Sequence, residues 1–146
     1  MHAPSPFIEG FANVPLPSLI AGSGAVTGGV RGALRLEAFA AFAAATAIYA
    51  WNGFSWPGFA LLFLAPDLAM LAYFVGPRAG ALAYNLAHSI ALALALTLAG
   101  FFSGLAIAAA GGLIWIAHIG IDRALGYGLK YPTGFHDTHL GQIGRR

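Results

Sequence analysis

Glu37, Asp67, His88, His118 and Asp122 are the residues of this chain best placed to do chemistry. Each lies within, or at the edge of, an apolar run long enough to cross a bilayer. An Asp at the middle of such a run costs roughly 2.5–3.5 kcal/mol on insertion, so these groups are expected to have partners or a task. His118 and Asp122 are spaced i, i+4 and share a helix face with Trp115 and Gly111. Tyr84 and Asn85 lie one turn before His88. Asp67 follows Pro66, whose missing N–H frees a backbone carbonyl and kinks the helix. Two imidazoles with two or three carboxylates suit Zn, Mn or Fe, with Asn85 or Tyr84 supporting the ligands. Asp67, His88, His118 and Asp122 are therefore the expected metal ligands. Haem held between His88 and His118 is the alternative, and the surrounding acids disfavour it. The same residues also fit a polar lock, with His118 paired to Asp122 and Asp67 bonded to His88.

These five side chains need four helices to bring them together. The chain has 146 residues, 59% of them hydrophobic and 8% charged, with a mean hydropathy of +0.76. A soluble domain of this size cannot bury that much apolar surface. The expected fold is an all-α, polytopic membrane four-helix bundle. Its spans run from about Leu34 to Trp51, Pro57 to Val75, Ala79 to Phe102 and Leu105 to Leu125. Alanines 40, 41 and 43–45, and residues 108–112, allow close helix packing in lipid. The domain division is a Pro/Gly-rich segment over 1–32, a four-helix domain over 33–126 and a tail over 127–146. The chain has no cysteine, which excludes disulfides, thiolate metal sites and a Cys nucleophile.

Orientation follows from the basic residues. Arg31 and Arg35 precede the first span, Arg78 separates the second and third, and Arg123, Lys130, Arg145 and Arg146 close or follow the fourth. All seven fall on one side, which the positive-inside rule makes cytoplasmic, and both termini go with them. The net charge of +2 is thus a topology signal, and no nucleic-acid partner is expected. Depth from the cytoplasmic helix ends, at about 1.5 Å per residue, is about 12 Å for Asp67, 13 Å for His88 and 10 Å for His118. Glu37 and Asp122 sit at about 5 Å. The shared depth predicts one polar cluster. Glu37, the shallowest, is as well explained by pairing with Arg35 or Arg123.

The two ends of the chain differ in kind. Residues 10–30 are uncharged and broken by Pro and Gly, suiting an irregular or interfacial lead, with a re-entrant piece or a fifth span as the alternative, and residues 1–30 are expected to offer a protein contact. The Gly22–Gly29 stretch lacks the ending of a phosphate loop. The C-terminal tail is polar and rich in aromatic and turn residues. It is expected to fold back over the cytoplasmic mouth, with Asp137 and His139 as added ligands, or to satisfy local turn hydrogen bonds. His136 is expected to point away.

The runs PDLAMLAYFVGPRAGALAYNLAH (66–88) and LIWIAHIGIDRALGYGLKYPTGFHDTHLG (113–141), with Arg35-Leu36-Glu37, resemble the domain-of-unknown-function 4260 family. The resemblance covers about residues 33–144. It implies a small bacterial integral membrane protein with four helices, in the inner membrane, and carries no activity with it. The family's pattern coincides with Glu37, Asp67, Asn85, His88, His118, Asp122, Arg123, Asp137 and His139. A fainter likeness is to membrane-bound metal-dependent hydrolases, through Pro66-Asp67 and His88 alone. The His-x-x-x-Thr-His-Ser element of that group is missing here.

Three functions compete. A metal held by Asp67, His88, His118, Asp122 and His139 would activate water, with Glu37 or Asp137 as general base and an amphiphile as substrate. A non-catalytic subunit would use the cluster as a packing lock and the two ends as protein contacts. A proton path would need polar residues in the outer half, where Thr46, Thr97 and Ser103 are almost alone.

Overall fold

A computed structural model describes residues 24–143. The lead segment and its expected protein contacts therefore lie largely outside the described residues, as do Arg145 and Arg146. Four apolar segments have the length to cross a membrane: Gly28–Trp51, Trp56–Phe74, Pro77–Ser103 and Ala106–Leu125. The protein is a multi-pass, all-α bundle. The first segment is one helix, α1 (Gly28–Trp51), starting earlier than the expected Leu34. It ends where Asn52 and Gly53 turn the chain, Gly53 at φ 65°. Ser55 then caps α2 (Trp56–Leu62), its Oγ accepting from Gly58 N at 3.2 Å.

The second segment is not a kinked α-helix but two windings. After α2 the chain breaks at Phe63–Leu64 and continues as a 3₁₀ helix over Ala65–Phe74. Pro66 is the physical cause, since it has no N–H and its ring clashes with the preceding turn. Asp67 N bonds the Leu64 carbonyl at 3.1 Å, an i to i+3 bond. The Phe63 carbonyl is thereby left without a backbone donor from either residue.

The third segment also differs from the single helix expected. It splits into α3 (Pro77–Ala87) and α4 (Ile90–Ser103), with His88 and Ser89 out of helical register. Neither Pro nor Gly lies at the break. The freed carbonyls are met instead by side chains from α5 (Ala106–Leu125). Trp115 Nε1 donates to Ala87 O, and Arg123 donates to His88 O at 3.1 Å.

The centre of the bundle is α5, which has eight buried residues and packs against α1 and α4. The approach is close. A Cβ at Gly112 would lie 2.6 Å from Thr97 N, and one at Gly120 would lie 2.7 Å from Phe42 N. The second segment has no buried residue and runs along the outside. An aromatic ladder lines the bundle end opposite the arginines. Tyr49 contacts Phe54, Trp56 and Phe59 at centroid distances of 5.2, 5.7 and 5.1 Å, and Phe59 stacks on Phe63 at 5.2 Å.

Beyond α5, Gly126 reverses the chain at φ 105°. The tail folds back onto the bundle and closes in a small hairpin, β1 (Asp137–Thr138) paired antiparallel with β2 (Gly141–Gln142). Lys130, Thr138 and Leu140 are buried there.

Candidate metal centre

Each irregularity in the backbone delivers one side chain to a common point. The 3₁₀ turn after Pro66 presents Asp67, the α3–α4 break presents His88, and one face of α5 presents His118 and Asp122. Their donor atoms all lie within 4.8 Å of one another. His88 Nε2 is 3.1 Å from His118 Nε2, 3.5 Å from Asp67 Oδ1 and 3.4 Å from Asp122 Oδ2. His118 Nε2 is 3.6 Å from Asp67 Oδ1 and 3.7 Å from Asp122 Oδ2. Donors 2.0–2.2 Å from a tetrahedral metal stand about 3.3–3.6 Å apart, so these separations are near the edges of one coordination tetrahedron.

The hydrogen bonds around the imidazoles orient their lone pairs. His88 Nδ1 lies 2.9 Å from the Tyr84 carbonyl, which can only accept. That nitrogen must carry the proton, and Nε2 turns a lone pair inward. His118 Nδ1 is buried and has no hydrogen-bond partner among the described residues. Its Nε2 faces the centre. Phe63, the last rung of the aromatic ladder, meets the His118 ring edge-on at 5.5 Å.

Tyr84 ties the centre together. Its hydroxyl donates to Asp122 Oδ2 at 3.2 Å, and its ring stacks on His88 at 3.7 Å. Lys130 Nζ stands 4.9 Å from the same ring and 4.0 Å from that of Phe135, and it donates to Phe135 O at 2.9 Å. Burial pushes the Lys130 ammonium below its ordinary pKa, and the carboxylates of Asp122 and Asp67 oppose that shift. Asn85 clamps the tail in place. Its amide donates to Lys130 O at 2.9 Å and accepts from Lys130 N at 2.7 Å.

The structure brings together four of the seven residues singled out as ligands or bases: Asp67, His88, His118 and Asp122. Glu37, Asp137 and His139 stand outside that group. Glu37 is exposed on α1. Among the described residues it makes no ion pair with Arg35 or Arg123, which bond the carbonyls of Ala124 and His88 instead. Asp137 accepts from Thr133 and Gln142. His139 Nδ1 accepts from Leu129 N at 2.8 Å. Burial, and next the charge of Arg123, hold the His139 pKa below its ordinary value. His136 bonds the Ile143 carbonyl at the surface. The sequence gives Lys130 no role beyond orientation and gives Trp115 and Arg123 no carbonyl-capping role. The one available signal was that all three are polar residues on, or just beyond, the helix that bears His118.

Fold and site together define a membrane-spanning helical protein with a buried Asp/His/His/Asp group able to hold a metal ion. Residues 31–143 match the family described as Domain of unknown function (DUF4260), and the chain belongs to that family. No match is found among curated proteins or among solved structures.

Proposed function

We propose that this chain is an integral membrane metalloprotein with Asp67, His88, His118 and Asp122 holding a divalent cation, Zn, Mn or Fe. One observation carries the reading. Two imidazole lone pairs and two carboxylates converge from three membrane segments at separations near those of a coordination tetrahedron. Doubly protonating the histidine pair would aim two N–H groups at each other across 3.1 Å.

The work we assign to the centre is hydrolysis of an amphiphilic substrate at the cytoplasmic face of a bacterial inner membrane. The basic residues, and with them both termini, face the cytoplasm. When bound, the cation serves as a Lewis acid that activates water. Tyr84 holds the Asp122 carboxylate, while Trp115 and Arg123 hold the backbone that carries His88. Asp67 is the most accessible member, with 30% of its side chain exposed, and lies where water and substrate arrive. We assign the base role to neither Glu37 nor Asp137, since neither belongs to the four-residue group.

Elemental analysis of the full chain in detergent tests the metal. Near-stoichiometric divalent metal is expected in the wild type and none in His88→Ala or His118→Ala. A folded, metal-free wild type would overturn the reading. A second reading, an accessory subunit with a structural metal, draws support from the four protein donors, because structural sites are typically closed and catalytic ones keep a position open. Hydrolysis of amphiphilic esters that depends on added metal separates the two.

A further inference from the structure

Three ionisable side chains outside the four-residue metal group meet in one cleft. It lies between α1, the start of α4, α5 and the tail hairpin, with a volume of about 180 Å³. Leu34, Ala38, Ala41, Ile90 and Leu140 form its apolar wall, and Glu37, Arg123 and His139 are its polar members. The charges do not satisfy one another. Among the described residues, Glu37 has no cation within 4.0 Å and Arg123 has no carboxylate within 4.0 Å. Arg123 spends one N–H on the His88 carbonyl and keeps other donors. His139 accepts at Nδ1 from Leu129 N, so its neutral form carries its proton on Nε2 as a donor.

The cleft therefore offers one anionic acceptor, one cationic donor and one neutral donor beside an apolar wall. A ligand bearing a single sign would meet one of the two charges and be repelled by the other. A short zwitterion meets both, and apolar chains attached to it follow the wall. Exposed carboxylates on a membrane helix are costly without a partner, and a headgroup ammonium would supply one for Glu37.

We propose that this cleft binds a phosphoethanolamine lipid, with the ammonium on Glu37, the phosphate on Arg123 and His139, and the acyl region along Ala38 and Ala41. A carboxylate accepts hydrogen bonds from a primary ammonium but not from a quaternary one, which selects ethanolamine over choline. The site is independent of the metal reading.

The test is native mass spectrometry of the full chain in micelles doped equally with phosphatidylethanolamine, phosphatidylglycerol and phosphatidic acid of the same chain length. Wild type is expected to retain the ethanolamine lipid about fivefold or more over either anionic lipid. Glu37→Gln should bring the three to parity with metal content unchanged, since Glu37 lies outside the metal group. Ala41→Trp fills the wall and should reduce retention of all three. Equal retention by wild type, or an ethanolamine preference that survives Glu37→Gln, overturns the proposal. Free phosphoethanolamine binding as well as the lipid would also overturn it, because the wall would then contribute nothing.

Discussion

The two ends of this bundle are held by opposite kinds of interaction. At one end Tyr49, Phe54, Trp56 and Phe59 interlock through ring contacts, and Tyr49 Oη donates to Ser55 O at 2.6 Å. At the other, Asp67, Tyr84, Asn85, His88, Trp115, His118, Asp122, Arg123 and Lys130 are linked by hydrogen bonds, stacked rings and opposed charges. The first end depends on shape and is indifferent to ions. The second gathers ionisable groups around a centre able to hold a metal ion. A membrane bundle can thus keep a stiff end and a responsive end within one set of helices, with Phe63 and His118 at the junction.

The comparison breaks most visibly at the stiff end. Tyr49→Ala is expected to lower stability by roughly 3–5 kcal/mol, by analogy with large aromatic deletions. The loss should be equal in zinc and in chelator, as read by thermal unfolding in detergent. Unequal losses would show that the two ends are not separate. Next in size is Tyr84→Phe, which removes the donor to Asp122 and keeps the ring on His88. Loss of such a supporting hydrogen bond should weaken metal binding about 10–100-fold, measured by competition with a chromophoric chelator. Unchanged affinity would mean that Asp122 needs no holding.

The smallest effect is one of pH on the tail. The His139 pKa is depressed in the folded protein, first by burial and then by Arg123. The unfolded tail therefore takes up a proton before the docked one does. Docking is at full strength above about pH 6.5, the unperturbed value, and weakens as pH falls below it toward the depressed folded value. Protonation also removes the acceptor for Leu129 N. Hydrogen exchange at the Leu129 amide, corrected for its intrinsic rate, should lose protection over that range, and His139→Gln should flatten the dependence.

Much of this was legible in the sequence. Apolar runs marked the four segments, because a membrane span must be long and nearly uncharged. Depth arithmetic placed Asp67, His88, His118 and Asp122 together, because helical rise is regular. The same arithmetic draws in Glu37, which lies outside the four-residue group and lines the neighbouring cleft, since depth carries no information about rotation. Pro66 announced a disturbance in the second segment. It did not announce ten residues of 3₁₀ winding, which is uncommon at that length. The break at His88 had no local signal at all. Ala87-His88-Ser89 contains no helix breaker, and the break rests on Trp115 and Arg123 arriving from another helix to take the carbonyls. Tertiary partners of that kind cannot be read from a local pattern.

The 3₁₀ winding also sets a length. Ten residues rise about 20 Å in that form instead of about 15 Å as α-helix, and the seven residues of α2 add about 10 Å. With Phe63 and Leu64 between the two windings, this segment of 19 residues reaches the roughly 30 Å of a hydrocarbon core with little to spare. Bilayer thickness is consequently part of the mechanics of Asp67. A thicker membrane has little slack to draw on in this segment, and hydrophobic mismatch there bears directly on the turn that aims the carboxylate.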